Sequence, residues 1–378
     1  MRGVANSPAG RYLRQTRRMS AALDEVRDRL RRFADEAAEI SPLYSHLAGH
    51  AAEDDDVARL LTVGTSPDPA LLLAAVQRVL QTEPFHELTN YYPALGGSYG
   101  PDPALWPMFR TFVLERADKV RVLVANRVPR GNEVGRAALF YPAVAYAARQ
   151  AGGGPVGLLE AGACAGLLLG MDLYSYRYQS EQSGQIVAGP GRAALGLHCA
   201  LKLAPGQKGP TIPKRLVVAA KVGLDSAPVD LDDEDEYAWL EACVWPDQPD
   251  RLRQLGAAAT ARRKKPPTLV QGDSVTNLTE AAARIPLELP VVVLTSNALR
   301  SFSTERVTAF RSAVTELAAA RPAYWVSLEA YSAGLLPDQP ELDTGQAVLA
   351  LTRWVDGQEQ TTALAQTSWH GERMHWLA

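Results

Sequence analysis

The chain has 378 residues, of which 47% are hydrophobic and 21% are charged, and its formal net charge is −3. This composition is typical of a globular protein with one large or two ordinary domains. The nearly neutral charge argues against a dedicated nucleic-acid binder, which would carry a basic excess or stripe. No charge-free apolar run reaches transmembrane length and the N-terminus lacks the apolar core of a secretory signal, so the sequence predicts a cytoplasmic protein without membrane contact.

The three cysteines, Cys164, Cys199 and Cys243, are far apart and lie in apolar settings. An odd number at wide spacing predicts reduced thiols, which agrees with a cytoplasmic location. No pair of them has the spacing of metal ligands, and the sequence therefore predicts no metal site.

The first 152 residues are predicted to form a helical domain, because strand signals are scarce there and apolar residues recur at helical spacing. Residues 1–20 are expected to be a loose arm. Ser41 is expected to cap a helix that has Pro42 in its first turn. The other helices are predicted over 19–38, 56–63, 69–82, 103–117 and 133–150, with a Gly/Pro/Tyr loop over 91–103.

After Gly154 short apolar strands alternate with helices, which is the pattern of a parallel α/β sheet. Five strands are predicted over 156–159, 216–222, 269–270, 290–294 and 324–328, and each is followed by a polar or acidic residue. The segments 346–355 and 367–376 are expected to close the sheet as an antiparallel pair.

The stretch Pro155–Tyr178 contains the most informative turn of the chain. Its strand ends at the acid Glu160, small residues follow, including Gly162, Ala163 and Gly166, and an apolar helix is expected to begin next. Small residues let a ligand approach the backbone, the N-terminus of a helix offers free N–H groups, and the acid accepts ligand N–H or O–H groups. The alternative interpretation is tight packing between a helix and a strand.

Acids also follow the second and third strands, as Asp225 and as Gly272-Asp273. Because the carboxyl ends of parallel strands line one crevice, we expect these side chains to lie near Glu160. Asp225 is placed to bind both hydroxyls of a ribose, and Asp273 to accept from the exocyclic amine of an adenine. No Walker lysine follows the turn, so a phosphate-bearing nucleotide fits less well. Taken singly, each acid can equally cap a helix.

These positions together resemble the class I S-adenosylmethionine-dependent methyltransferases. The first motif of that family, an acid followed by small residues as in E-x-G-x-x-x-G, matches Glu160, Gly162 and Gly166, with Ala163-Cys164 in place of the more usual glycine. The acid of the second strand matches Asp225, and the G-D before the adenine matches Gly272-Asp273.

The resemblance implies an α/β fold with a Rossmann-like sheet over 153–378, mostly parallel with an antiparallel closing strand, and an N-terminal helical cap domain over 1–152. It implies S-adenosyl-L-methionine as the cofactor, which the polar run Thr295, Ser296 and Asn297 after the fourth strand is also expected to contact. Glu160 and Asp225 are 65 residues apart, against roughly 20 in a compact member, so an insertion is expected over 174–213.

Over most of its length the chain is also similar to an actinobacterial family of uncharacterised proteins that is known only as a domain of unknown function. The stretches that carry this similarity are 41–44 (SPLY), 91–93 (YYP), 132–136 (NEVGR), 160–166 with Asp172 and Tyr174, 223–225 (GLD) and 244–248 (VWPDQ). Gly131 and Leu168 depart from the small hydroxyl residue and the asparagine that the family tends to have there. The similarity implies a fold but no reaction.

The segment before the first strand is expected to reach the reacting end of the cofactor, as it often does in class I methyltransferases. We assign a catalytic role to Asn132 and a cofactor-binding role to Glu133 and Arg136. The alternative for the Glu133–Arg136 pair is a salt bridge on a helix surface.

Tyr174 and Tyr176, which follow the turn, are also candidate catalytic residues, since phenol hydroxyls can position a nucleophile and aromatic rings attract a sulfonium cation. The alternative is that these tyrosines form one face of a strand. Methyl transfer needs little acid–base work, and no general base is visible in the sequence; His370 and His375 are expected to be structural.

The sequence therefore predicts an S-adenosylmethionine-dependent methyltransferase that acts on a small molecule. One alternative consumes the same cofactor by cyclising its aminobutyryl arm and releasing methylthioadenosine. A second is a ligand-binding protein of the same fold without turnover. A homodimer through the apolar helical domain is compatible with the sequence.

Overall fold

The computed structural model describes residues 8–63, 67–131, 133–336, 342–343 and 345–378, with side chains from residue 21 onward. The chain divides into two compact units. The helical unit comprises Met1–Asn132 with Glu234–Leu252, and the sheet unit comprises Glu133–Asp233 with Arg253–Ala378. The sequence prediction had a single boundary after residue 152, whereas here the helix before the first strand belongs to the sheet unit and 234–252 belongs to the helical unit.

Helices and strands together give a mixed α/β fold. The helices are α1 Pro8–Ala37, α2 Pro42–Ala52, α3 Asp55–Ala58, α4 Pro69–Gln81, α5 Leu105–Glu115, α6 Ala117–Asn126, α7 Ala137–Gln150, α8 Glu234–Ala242, α9 Pro249–Lys264, α10 Leu278–Ala282 and α11 Thr304–Ala320. The strands are β1 Val156–Ala161, β2 Ser175–Ser180, β3 Gly184–Ala188, β4 Gly196–Leu203, β5 Val218–Asp225, β6 Thr268–Gln271, β7 Val291–Ser296, β8 Ala323–Ala330, β9 Ala347–Val355, β10 Gln358–Thr367 and β11 Arg373–Trp376.

The helical unit is held by an apolar core, and its second helix begins as the sequence predicts. The Ser41 hydroxyl accepts a hydrogen bond from the Tyr44 amide, and Pro42 stands in the first turn. The amide of Leu43 donates to the carboxylate of Asp247 in the same unit, so the stretch 244–248 serves as a packing turn there. The segment predicted as one helix over 103–117 ends at Glu115, and α6 follows it directly.

The eleven described strands form one sheet in the order β3-β2-β4-β11-β10-β9-β8-β7-β1-β5-β6. The five neighbours β8, β7, β1, β5 and β6 are all parallel, and most pairings of the sheet are parallel. The chain enters this region at β1, places β5 and β6 on one side of it, and then returns to place β7 and β8 on the other side. The prediction of a large, mostly parallel sheet with helices is thus confirmed.

The predicted pairing of 346–355 with 367–376 is wrong, because β10 lies between them. The hairpin from β9 to β10 turns at Asp356-Gly357, where both residues have positive φ, 51° and 75°. An Asp-Gly pair between strands is a strong hairpin signal, but the polar first half of β10 hides the strand from a hydrophobicity pattern. β9 is antiparallel to β8 but does not close the sheet, since β10, β11 and the strands of the predicted insertion (β2, β3 and β4) continue it.

The two faces of the central strands have different coverings. Leu159 and Ala161 of β1 share an apolar core with Phe310 of α11 and residues of α10. Because side chains alternate along a strand, Glu160 points to the opposite face, the face on which α7 packs. Within β1, Glu160 is thus the one charged side chain on that face.

Arg321, between α11 and β8, anchors the segment that leads into β7. Its buried guanidinium donates to the carbonyl oxygens of Ala282, Ile285, Pro286 and Leu289. The side chain thereby satisfies backbone acceptors that have no strand partner.

Replacing Arg321 by methionine is expected to lower the free energy of unfolding by about 3 kcal/mol, because buried carbonyl groups lose a charged donor. Chemical denaturation measures this change. The matched substitution of exposed Arg284 by methionine should alter stability by less than about 0.5 kcal/mol. Equal effects of the two substitutions would contradict the anchoring role.

Candidate functional site

The carboxyl ends of β1, β5 and β7 lie side by side, because Ala161 pairs with both Leu224 and Thr295. The order of strands along the sheet reverses between β1 and β7. In open parallel sheets ligands bind outside the carboxyl ends of the strands at such a reversal. The register also sets Glu160, Asp225 and Ser296 on one face of the sheet.

The turn after β1 has a backbone that requires glycine. Gly162 and Gly166 have φ values of 78° and 67°, and Cys164 adopts a positive φ of 51°. A Cβ atom at Gly166 would also lie 3.0 Å from the ring of Pro267. The Asp225 carboxylate accepts a hydrogen bond of 2.8 Å from the amide of Cys164 and therefore ties the turn to the end of β5.

Ala163, which stands where the class I motif more usually has glycine, is a packing residue of this turn. It is buried, and its Cβ atom lies 2.7 Å from where a Cβ atom of Gly223 would be. The small side chain at 163 and the absent one at 223 therefore allow the turn to close on β5.

The turn does not lead into an α-helix, contrary to the sequence prediction. A 3-10 helix over Leu168–Leu173 follows, and the chain then enters β2 at Ser175. The Tyr174 hydroxyl folds back to donate to the carbonyl of Leu167 at 2.6 Å, and a Cβ atom at Gly170 would lie 2.5 Å from that hydroxyl. The expected helix N-terminus for an anionic ligand group is therefore absent from this described stretch.

Glu160 carries an unpaired oxygen at the centre of the site. Its residue exposure is 5%, and Oε2 has no hydrogen-bond partner among the described residues. Burial raises the pKa of this carboxyl well above its ordinary value, and the nearby charge of Asp225 adds to the effect, while Arg136 opposes it. A ligand ammonium or hydroxyl donor would satisfy this acceptor and favour its charged form.

Arg136 connects the segment before α7 to two other parts of the sheet unit. Its Nε donates to the carbonyl of Trp369 at 2.8 Å, and Nη1 donates to the hydroxyl of Ser296 at 3.2 Å. The side chain of Glu133 is 8% exposed, and its carboxylate accepts a hydrogen bond from the amide of Gly135. The predicted catalytic residue Asn132 lies outside the described residues.

The other two polar residues at the end of β7 are Thr295, which lies within the strand, and Asn297, which follows it directly. Thr295 is buried on the α11 face, where its hydroxyl accepts a hydrogen bond of 3.0 Å from the indole of Trp325. Asn297 has a positive φ of 55°, and its buried Oδ1 has no hydrogen-bond partner among the described residues.

Glu329 near the end of β8 was not predicted as a site residue. It is 2% exposed and accepts hydrogen bonds from the amides of Ala298 and Leu299. Burial raises its pKa to about 7, and the residue lines a cavity of about 280 Å³. The sequence contains one sign of this acid: Glu329 follows the predicted fifth strand, as Glu160 and Asp225 follow the first and second.

Gly272 and Asp273 hold the end of β6 close to β5. The amide of Gly272 donates to the carbonyl of Asp225 at 2.9 Å. Asp273 accepts from the amides of Val275 and Thr276 and pairs with Arg306, which lowers the pKa of its carboxyl to about 2. Asp273 thus caps its own turn, and only its remaining lone pairs are available to a ligand.

Tyr174 and Tyr176 have their hydroxyls engaged with the backbone. Both are buried, and the Tyr176 hydroxyl donates to the carbonyl of Met171 while its ring packs 4.4 Å from the ring of Tyr141 in α7. Burial raises the pKa of both phenols. This geometry favours the packing alternative over a catalytic role.

The structure brings Glu133 and His370 together, a pair that no pattern in the sequence indicates. Oε2 of Glu133 lies 2.5 Å from Nδ1 of His370, which was expected to be structural. The two residues are 237 positions apart, so no local pattern links them.

Two general features are absent from the residues that the structure describes. None of their His, Cys, Asp and Glu side chains form a group of three or more that could hold a metal ion. Over the same residues, no helix is long and apolar enough to span a membrane.

Comparison with known proteins gives one match. The model of a family described as "Uncharacterized protein conserved in bacteria (DUF2332)" matches residues 27–376. No curated protein and no solved structure matches the chain.

Replacing Tyr176 by phenylalanine is expected to lower the free energy of unfolding by about 1 to 2 kcal/mol, because the carbonyl of Met171 loses its donor in a buried layer. The control is Tyr146 to phenylalanine, a less buried tyrosine for which less than about 0.5 kcal/mol is expected. Denaturant unfolding measures both. An unchanged stability for the Tyr176 variant would contradict the packing role.

Glu329 is expected to make stability depend on pH. Its folded pKa of about 7 lies above the ordinary value of 4.5, so its stabilising contribution is full below pH 4.5 and is lost as pH rises through about 7. Replacing Glu329 by glutamine removes this loss. The stability of the variant relative to the native protein should therefore rise by up to about 3 kcal/mol across that window.

Unfolding measured at several pH values tests the Glu329 prediction, with exposed Glu316 to glutamine as the control. A difference between the Glu329 variant and the native protein that stays constant with pH would contradict it.

Proposed function

Since the chain belongs to this uncharacterised bacterial family, whose description names no reaction, we propose from the candidate site that the protein binds S-adenosyl-L-methionine and transfers its methyl group to a small molecule. The observation that carries the proposal is the buried, unpaired oxygen of Glu160 beside a glycine-requiring turn at the reversal of a parallel sheet. The proposal includes a Rossmann-like methyltransferase class for the sheet, supported by the five parallel neighbours from β8 to β6.

The residues present fit the parts of this cofactor. Glu160 offers a buried acceptor for the α-ammonium group, and the ammonium would offset the raised pKa of that carboxyl. Arg136 lies on the same side and is suited to the α-carboxylate, which has no α-helix N-terminus to meet it here. Asp225 retains lone pairs for the ribose hydroxyls beside its hydrogen bonds to the amides of Cys164 and Ala227.

When bound, the cofactor supplies an electrophilic methyl group on a sulfonium sulfur. The protein aligns an acceptor with that methyl group and excludes water. Glu160 and Arg136 fix the amino-acid end, and Asp225 fixes the ribose, so that the reacting centre lies between two anchored ends.

The order of the strands departs from the pattern of the class I methyltransferases that the sequence resembles. β9 is antiparallel to β8, as expected, but the sheet continues through β10 and β11 to the insertion strands.

Calorimetric titration with S-adenosylmethionine tests the proposed function. Binding is expected for the native protein, and replacing Asp225 by alanine should weaken it by about 10- to 100-fold, since a charged hydrogen-bond partner of the ribose is lost. The matched control is Asp232 to alanine, an exposed acid for which no change is expected. Circular dichroism of each variant checks that the fold is intact.

The chemical fate of the cofactor separates the related alternatives. Intact S-adenosylmethionine after incubation without an acceptor agrees with a methyltransferase. Methylthioadenosine formed without an acceptor would instead indicate cyclisation of the aminobutyryl arm. No binding at all would contradict the cofactor and favour a protein of the same fold that binds another ligand.

A further inference from the structure

The turn between β10 and β11 is fixed against the segment before α7 by two side-chain contacts. Arg136 binds the carbonyl of Trp369, and Glu133 pairs with the imidazole of His370 through Nδ1. The side chain of Glu133 is only 8% exposed, whereas that of His370 is 33% exposed. The carboxylate is thus buried behind a ring that a ligand can still reach.

The backbone of these two segments is in contact at two glycines. A Cβ atom at Gly135 would lie 2.1 Å from the carbonyl oxygen of His370, and one at Gly371 would lie 2.1 Å from the carbonyl oxygen of Gly135. Gly371 also has a positive φ of 96°. Both positions therefore require glycine, and their close approach sets where His370 stands.

The Glu133–His370 pair belongs to the same edge of the sheet as Glu160. Arg136 joins the turn at Trp369 to the end of β7 at Ser296, and its charge acts on the carboxyl of Glu160. Among the described residues, the charged groups next to His370 are Glu133 and Arg136 on the packed segment, Glu372 on its own turn and Arg373 at the start of β11.

We propose that His370, oriented by Glu133, is the general base of the reaction, and that the acceptor is a small molecule with an acidic hydroxyl such as a phenol or enol. This inference rests on the proposed function. The Glu133 carboxylate accepts a hydrogen bond from Nδ1–H and so fixes the tautomer, which leaves the lone pair of Nε2 to take a proton. A carboxylate behind an imidazole is the arrangement that general-base catalysis uses.

The step balances in atoms and electrons. The acceptor hydroxyl gives its proton to Nε2 of His370, and its oxygen forms a bond to the methyl carbon. The bond from that carbon to sulfur breaks, its electron pair stays on sulfur, and a neutral thioether leaves. The imidazolium then returns its proton to solvent, and Glu133 stabilises it in the interval.

A base in this role lies close to the sulfonium, and this proximity can be measured without knowing the acceptor. A bound cation disfavours the protonated imidazole by Coulomb repulsion. Titration of S-adenosylmethionine in two buffers with different ionisation enthalpies counts the protons released on binding, across about pH 5 to 8. S-adenosylhomocysteine, which lacks the positive charge, serves as the uncharged probe.

The native protein is expected to release more protons on binding S-adenosylmethionine than on binding S-adenosylhomocysteine. The difference should reach up to one proton at the pH where it is largest. Replacing His370 by asparagine should abolish this difference while changing the affinity for S-adenosylhomocysteine by less than about threefold. Replacing Glu133 by glutamine should reduce the difference, because the imidazole loses the carboxylate that orients it. The matched control is exposed His198 to asparagine, which should keep the difference.

Binding of S-adenosylmethionine with the same proton release in the native protein and in the His370 variant would overturn the role of His370 and leave the proposed function intact. Absence of binding to the native protein would overturn both. If His370 only holds the two segments together, its replacement should lower stability. The native protein should then release the same number of protons with the charged and the uncharged probe.

Discussion

The candidate site depends on one buried carboxyl group that has lost its water without gaining a full set of partners. Glu160 is enclosed at the end of β1 with Oε2 unpaired among the described residues, and burial favours its neutral form. Such a group costs stability, and a ligand that supplies a donor or a positive charge recovers it. This unpaired acceptor supports the proposal that the site binds a ligand with a cationic or hydroxyl-bearing end.

Arg136 and Asp225 organise the surroundings of that carboxyl. Asp225 draws the turn after β1 towards β5 through the amide of Cys164, and Arg136 joins the start of α7 to the ends of β7 and β10. Each of these side chains forms hydrogen bonds with the backbone, and the charge of each acts on the carboxyl of Glu160. The same contacts stabilise this edge of the sheet and, under the proposed function, position its side chains for a ligand.

Parallel strands place their carboxyl ends at one edge of the sheet. A correct pattern of strands was therefore enough to predict that Glu160 and Asp225 lie close together. The α-helix expected after Gly166 was wrong because Tyr174 folds back over Gly170 and donates to the carbonyl of Leu167, a local contact that the pattern of apolar residues does not reveal. β10 was missed because half of it is polar, although Asp356-Gly357 marked the hairpin. The contact between His370 and Glu133 could not be predicted, since the two residues are distant in the chain and only the folded sheet joins them.

Hydrogen–deuterium exchange with and without saturating S-adenosylmethionine tests the central claim most directly, because it locates the ligand on the chain. The account predicts slower amide exchange in peptides that cover the turn 160–166 and the end of β5 at 223–227. Slower exchange only elsewhere, or none at saturation, would contradict a cofactor site at the carboxyl ends of β1 and β5.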